Sequence, residues 1–299
     1  MYEQHFGLRE PPFGITPDTS YYFANHSAQD AFNTLRIALS TGEGFVKVVG
    51  EVGTGKTLLC RKLLNAFEAD GWITAYVPNP YLEPRTLLKT VADELGIRDA
   101  TADDQHALLK AISAFLIESS TAGRRVLLCL DEAQSVPLDT MEALRLLSNL
   151  ETERRKLIQI VLFGQPELDE HLNQPALRQL KSRIGFSCRL APLPARDTDD
   201  YLAHRLRVAG YGGPRLFSDR ATRLLYRASG GVPRLANVLA HKSLMAAYGE
   251  GAREVASRHV RLAVADTESV QRGHGWRRVI PWLHAAFASA GGSARGRND

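Results

Sequence analysis

The sequence predicts an α/β protein with a mostly parallel five-stranded sheet flanked by helices, followed by a small all-helical domain. Three observations support this fold class. Short apolar and β-branched runs alternate with helical patterns from residue 45 to about residue 192. The run 126–130 is apolar at every position, which is typical of a strand covered on both faces. After Pro192 and Pro194 only helical patterns joined by glycine-rich turns follow.

Each element rests on a local pattern. Cys60, Leu63, Leu64 and Phe67 recur at steps of three and four residues, which predicts a helix over residues 56–67. The predicted strands cover residues 45–49, 72–77, 126–130, 157–163 and 186–190. The other predicted helices cover residues 27–40, 84–95, 103–119, 197–209, 218–229, 232–248 and 257–266.

These elements divide the chain into four segments. Residues 1–44 form an N-terminal segment, and residues 45–192 form the α/β core. Residues 193–267 form a helical lid domain. Residues 268–299 form a tail that is basic at its start and apolar afterwards, and its glycines predict flexibility.

Composition sets limits on the function. The 299 residues are 44% hydrophobic and 23% charged, which is ordinary for a soluble globular protein. The net charge of +4 is too small by itself to indicate a nucleic-acid partner. Three widely spaced cysteines in apolar segments predict reduced, buried thiols, and the histidines show no zinc-ligand spacing. The N-terminus lacks a signal pattern and no apolar run reaches roughly 18 residues, so we expect a cytoplasmic protein.

A phosphate-binding motif follows the first strand. Glycines let the backbone turn so that successive N–H groups point at phosphate oxygens, and the following helix presents its positive end to the same phosphates. Lys56 is expected to contact the β- and γ-phosphates of ATP, and the Thr57 hydroxyl to bind Mg2+. Leu58, in the first turn of the helix, completes the predicted nucleotide-binding set. The motif reads Gly50-Glu51-Val52-Gly53-Thr54-Gly55-Lys56-Thr57.

Two acidic residues, Asp131 and Glu132, directly follow the buried run 126–130. A carboxylate at the end of a buried strand beside the phosphate-loop strand is where Mg2+ needs a ligand, and Asp131 takes that role. Glu132 is then placed to accept a proton from a water in line with the γ-phosphate, or to orient that water. Together the two motifs predict an ATPase.

Three further polar positions are candidates for the site. Gln165 follows the strand between the two motif strands, where it could bond the γ-phosphate or the attacking water. Arg178 and Arg183 precede the last strand, and either could reach the γ-phosphate of a neighbouring subunit. Arg234 follows Gly-Gly-Val-Pro at the start of a lid helix, where a cation is easier to explain if an anion is present.

With these residues assembled, the sequence resembles the AAA+ family, and within it a bacterial subgroup. That subgroup contains the general secretion pathway protein A ATPases and the ATPase of mannose-sensitive haemagglutinin pilus biogenesis. The likeness covers roughly residues 1–266. It is carried by the opening Tyr2–Leu8 with Pro11-Pro12-Phe13, the phosphate loop, Leu130–Gln134, Gly164–Leu168, Leu177–Leu180 with Arg183-Ile184, and Ser229–Arg234.

The resemblance implies roles for several residues. It implies Gln165 as sensor 1, Arg183 (with Arg178 still open) as the arginine finger, and Arg234 as sensor 2. Adenine would pack against the N-terminal segment near Phe13. The resemblance further implies a ring-shaped homo-oligomer, with a hexamer favoured, that serves inner-membrane proteins of a pilus or type II secretion apparatus.

One departure concerns the tail. Secretion members of the subgroup look longer and continue into a membrane-spanning helix, so the shorter pilus-type form is the closer likeness. The apolar run 279–290 is too short to span a bilayer. Trp276 and Trp282 with Arg277 and Arg278 could instead bring the tail onto an anionic membrane surface. A disordered or core-capping tail is the alternative.

Two other functions stay open at this stage. One is a DNA-associated AAA+ helper of transposition or replication initiation, but the roughly thirty residues after the lid are few for a winged-helix module. The other is a nucleotide-gated scaffold that binds ATP and turns over slowly. The intact Glu132 argues against an inactive site.

Overall fold

The computed structural model describes residues 2–97, 104–151 and 155–271. Contacts divide the chain into two compact units, one of residues 16–192 and one that joins residues 1–15 to the chain from residue 193 onward. The N-terminal segment that we treated as one piece, residues 1–44, is thus split between the units. Most of the predicted tail, residues 272–299, lies outside the described residues, including the tryptophans and arginines assigned to membrane contact.

The first unit contains a five-stranded sheet in which every neighbouring pair of strands is parallel. The prediction of a five-stranded parallel sheet is therefore confirmed. The strand order is β2-β3-β4-β1-β5, with β2 and β5 at the edges. The strands are β1 (Phe45–Gly50), β2 (Ile73–Val77), β3 (Val126–Leu130), β4 (Gln159–Gly164) and β5 (Ile184–Leu190).

The helices of the described residues follow from the same kind of pattern, with five exceptions. We did not predict α1, α6, α7, α8 or α13, and α13 lies within the segment assigned to the tail. The helices are α1 (Tyr2–Phe6), α2 (His26–Ser40), α3 (Lys56–Ala69), α4 (Pro84–Glu94), α5 (Gln105–Thr121), α6 (Leu138–Ser148), α7 (Glu167–Leu172), α8 (Arg178–Lys181), α9 (Thr198–Val208), α10 (Asp219–Ser229), α11 (Pro233–Gly249), α12 (Ser257–Ala265) and α13 (Glu268–Gln271).

The sheet is covered on both faces because alternate side chains of each strand enter different cores. In β3, Val126, Leu128 and Leu130 pack against α4, α5 and α6. Leu127 and Cys129 point the other way and pack against α2 and α3. All five side chains of β3 are at most 1% exposed, which confirms the prediction of a strand covered on both sides.

The second unit is helical and contains residues 2–15 with α9 to α13. Arg205 of α9 is 6% exposed and ties down the N-terminal segment, because its Nε donates to the Pro12 carbonyl at 2.7 Å and its Nη2 to the Gly14 carbonyl at 3.2 Å. Phe13 packs edge-on against Phe217 with 5.9 Å between ring centroids. Val270 of α13 is buried as well.

Across the described ranges, no helix combines the length and the apolar character needed to cross a bilayer. The three cysteines are buried free thiols, as predicted.

Candidate functional site

The candidate site lies at the carboxyl edge of the sheet, where β1, β3 and β4 end. The phosphate loop leaves β1, the acidic pair leaves β3, and Gln165 leaves β4. Since β4 lies between β1 and β3, three adjacent strands supply the site. This arrangement confirms that the strand before Gln165 lies between the two motif strands, and it corrects the expectation that the strand of Asp131 is beside the phosphate-loop strand.

The loop has the backbone that phosphate binding requires. Gly53 and Gly55 have φ values of 80° and 100°, a region that side chains disfavour. Gly55 directly precedes α3 and provides no side-chain cap, so the N–H groups of the first turn, including that of Leu58, are left for an anion. The Thr54 hydroxyl donates to the Glu51 carbonyl at 2.8 Å and closes the loop.

Gly50 fits a space that has no room for a side chain. A Cβ there would lie 2.7 Å from the Leu190 carbonyl oxygen and 2.9 Å from the Thr54 hydroxyl. The close approach of two backbone segments explains the first glycine of the motif. Val52, by contrast, is exposed at the tip of the loop.

Lys56 is 6% exposed and folds over its own loop. Its Nζ donates to the Gly50 carbonyl at 2.7 Å and to the Glu51 carbonyl at 3.0 Å. Burial lowers the pKa of Lys56, although the negative charges of Glu132 and Asp131 oppose that shift. An ammonium group has three N–H donors, so the two carbonyls leave one for a phosphate oxygen.

The two predicted metal ligands are in contact. The Thr57 hydroxyl donates to Asp131 Oδ2 at 2.5 Å, and the hydroxyl of Tyr76, from β2, donates to the same oxygen at 3.4 Å. Burial raises the pKa of Asp131 despite the opposing hydrogen bonds from Thr57 and the Glu132 N–H. Two adjacent oxygen donors of this kind suit Mg2+, which binds few protein ligands when phosphates and water supply the rest.

Glu132 has an unusual backbone. Its φ of 51° is the one positive value at a non-glycine position in the described residues. Its Oε2 accepts hydrogen bonds from Gln134 Nε2 at 2.7 Å and from Gln165 Nε2 at 3.0 Å. Partial burial would raise the pKa of Glu132, but these two bonds and the charge of Lys56 outweigh it and the pKa is lowered. The carboxylate is therefore charged and held by two amides.

Gln134 is the residue that the sequence analysis missed. It stands in the short 3-10 turn Ala133–Ser135, and its Oε1 accepts the backbone N–H of Gln165 at 2.9 Å. Its position two residues after Glu132, in the turn after a buried strand, was the available signal. Gln165 follows β4 and its Nε2 reaches Glu132, while its expected contact with the γ-phosphate or the attacking water stays a prediction.

The other predicted residues do not join this cluster. Arg183 directly precedes β5, whose first residue pairs with Phe45 at the start of β1. Arg183 therefore lies where the strands begin, and the phosphate loop lies where they end. At about 3.3 Å per residue, a six-residue strand separates it from the phosphate loop by roughly 20 Å. Arg178 is exposed at the start of α8.

Arg234 and Phe13 belong to the helical unit. Arg234 is exposed in the first turn of α11. Phe13 is 2% exposed and packs against Phe217 within the helical unit. Contact of adenine with the N-terminal segment near Phe13 stays a prediction.

Comparison with known proteins shows what this part of the chain is similar to. A family model described as an AAA domain matches residues 39–172, which include the phosphate loop, the acidic pair and Gln165. Residues 39–172 are thus similar to an AAA domain. That similarity and the fold are typical of proteins that bind and hydrolyse nucleotides.

The chain has a curated relative and solved structural neighbours. The general secretion pathway protein A of Aeromonas hydrophila is 40% identical over 277 residues, which are 93% of this chain and 50% of that protein. The chain thus spans about half the length of this relative.

Two solved archaeal structures share the fold. One is Cdc6p from Pyrobaculum aerophilum, with a TM-score of 0.67 and 20% identity over 88% of this chain and 73% of that one. The other is the ORC2 protein of Aeropyrum pernix in ADPNP-ADP complexes, with a TM-score of 0.60 and 19% identity over 93% of this chain and 79% of that one. At these identities the likeness shows the P-loop AAA+ fold alone.

Proposed function

We propose that this chain is a Mg2+-dependent ATPase that drives assembly of a type IV pilus-like or type II secretion apparatus. One observation supports the chemistry above all: the Thr57–Asp131 pair and the Glu132 carboxylate share one sheet edge with the phosphate loop. The pathway is supported by the similarity to a general secretion pathway protein A.

The residues divide the work. The N–H groups of residues 50–58 and the Lys56 ammonium would hold the phosphates of ATP, and Thr57 with Asp131 would hold Mg2+. When bound there, Mg2+ supplies charge neutralisation for the phosphate oxygens. Glu132 accepts a proton from the attacking water or orients it, and its lowered pKa keeps the carboxylate in the form able to do so. Gln165 fixes the carboxylate from the neighbouring strand.

The remaining arginines are proposed to act in an oligomer. Because Arg183 lies at the far edge of the sheet from its own phosphate loop, it could serve only the site of another copy. We therefore propose a ring-shaped homo-oligomer, with a hexamer favoured, in which Arg183 or Arg178 is the finger. Arg234, exposed at the start of α11, is the proposed sensor 2.

Purified wild-type protein and the variant Glu132→Gln test the ATPase. Both should bind ATP with Mg2+ to within about threefold in Kd, while kcat of the variant should fall by about 10² or more, since the general base is lost. Glu118→Gln, the same change at an exposed position of α5, should behave as wild type. Failure of the wild-type protein to bind ATP would overturn the proposal.

The pathway needs a separate experiment. Deletion of the gene in its host should impair secretion or pilus assembly, and the wild-type gene should restore it where the Glu132→Gln gene does not. A deletion strain that secretes and assembles pili normally would refute this role. Salt-sensitive binding to duplex DNA by the purified protein would instead favour a DNA-associated helper.

A further inference from the structure

We infer that Gln134 is a positioning residue, which holds the Glu132 carboxylate in place by bridging it to the end of β4. The inference rests on the proposed ATPase function and deepens it. Among the polar groups of the phosphate site, Gln134 bonds both to the expected general base and to the backbone of the expected sensor. It is placed to act on the reaction through Glu132.

The chemistry of an amide explains why glutamine suits this position. One end of the side chain donates, from Nε2 to Glu132 Oε2 at 2.7 Å. The other end accepts, at Oε1, the backbone N–H of Gln165 at 2.9 Å. A carboxylate could accept from Gln165 but could not donate to Glu132, and an apolar side chain could do neither. The two bonds together also fix which way the amide points.

The structure makes room for this bridge. Gly164, the last residue of β4, has Gln134 Oε1 3.2 Å from the position of a Cβ, together with Leu168 Cδ2 at 2.7 Å and Leu168 Cβ at 3.0 Å. Its φ is not positive, so backbone freedom does not explain this glycine. The space is instead taken up by the side chains of Leu168 and Gln134.

Glu132 needs external support because its backbone is in a disfavoured conformation. A non-glycine residue with φ near 50° persists only where the surroundings determine it. Both amide bonds end on Oε2 of Glu132, so Oε1 is the oxygen that we expect to accept from the attacking water. Without Gln134, the orientation of the carboxylate depends on the longer bond from Gln165 alone.

Two variants separate this role from a merely structural one. Gln134→Met keeps the length of the side chain but forms neither hydrogen bond, so kcat at saturating Mg-ATP should fall about tenfold or more, the effect of losing the bond to the charged Glu132 carboxylate. Gln134→Glu keeps the acceptor for the Gln165 N–H but places a second carboxylate against Glu132. Its kcat should fall further than that of Gln134→Met, while Kd for ATP stays within about twofold of wild type in both.

The order of the variants decides the matter. If Gln134 only braced the turn against Gln165, the glutamate variant would keep wild-type kcat and the methionine variant would not; that order, or wild-type kcat in both, overturns the inference. Gln29→Met, on α2 where the amide is bonded to Asn33, is the matched control and should be neutral. If the wild type hydrolyses ATP and the variants are unaffected, only the positioning role of Gln134 is refuted. If the wild type does not hydrolyse ATP, the ATPase proposal is refuted.

Discussion

Replacement of Gly50 by alanine tests the geometry of the phosphate loop directly. The added Cβ would sit 2.7 Å from the carbonyl oxygen of Leu190, a distance that real Cβ atoms do not show. Leu190 cannot retreat easily, because it is paired with Gly50 in the ladder between β1 and β5. The phosphate loop must therefore shift, because the Thr54 hydroxyl is the second atom that the added Cβ would contact too closely.

The magnitude follows from this contact. Overpacking of a rigid site costs about 1–3 kcal/mol, and for a unit of 150–250 residues each kcal/mol lowers Tm by about 2–4 °C, so Tm should fall by about 2–12 °C. Loss of one charge-assisted hydrogen bond to a phosphate costs about 1.5–3 kcal/mol, which raises Kd for ATP about 10- to 150-fold.

Thermal unfolding and equilibrium binding of ATP measure the two effects. Gly44→Ala is the matched control at the other end of β1, since a Cβ there meets only the side chain of Lys156 at an ordinary 3.5 Å. It should change neither Tm nor Kd appreciably. If Gly50→Ala unfolds and binds ATP like the control, the close approach of β1 to β5 is not what requires glycine, and the reasoning fails.

Three other predictions have clear expected outcomes. Lys56→Ala should weaken ATP binding by about 100-fold or more in calorimetric titration, because the loop loses its only cation. Arg183→Ala should leave ATP binding intact and lower kcat by about 10³ in the assembled oligomer. If Arg178→Ala lowers kcat in this way and Arg183→Ala does not, the arginine finger is Arg178. The pKa of Glu250 is lowered first by its hydrogen bond with His259 and then by Arg258. The lowered pKa stabilises the folded state at pH values above the ordinary glutamate pKa of about 4.3, and this stabilisation is lost as the pH falls through the pKa of the folded state. Tm of Glu250→Gln should therefore fall less steeply than that of the wild type as the pH is lowered.

Much of the α/β core could be predicted because its elements carry local patterns. The apolar run of β3 and the three- and four-residue spacing in α3 are signals of burial that one sequence shows by itself. Helix α6 was missed although its Met141, Leu144 and Leu147 are buried at helical spacing. This helical pattern begins directly after a proline and only a few residues after the acidic motif, and we interpreted the region only as part of the nucleotide site.

The site residues could be predicted where they belong to a short sequence motif. Lys56, Thr57 and Asp131 could be assigned roles because a motif of fixed spacing needs those groups. The Gln134 amide could not, since its partners are Glu132 and the backbone of Gln165, and the second of these is brought close only by the placement of β4 beside β3. A contact made by strand order leaves no periodic trace in the sequence.

The positive φ of Glu132 is a backbone conformation that favours residues other than glutamate. Glycine or asparagine adopts this backbone more easily, and a non-glycine residue there costs about 1–2 kcal/mol. Two hydrogen bonds to a charged acceptor, at about 1.5–3 kcal/mol each, are enough to offset that cost. Bonds to a charged acceptor need a carboxylate, which asparagine and glycine lack. The same two amides that orient the general base thus also allow its backbone to stay in place, so a loss of Gln134 should disturb the turn and the chemistry together.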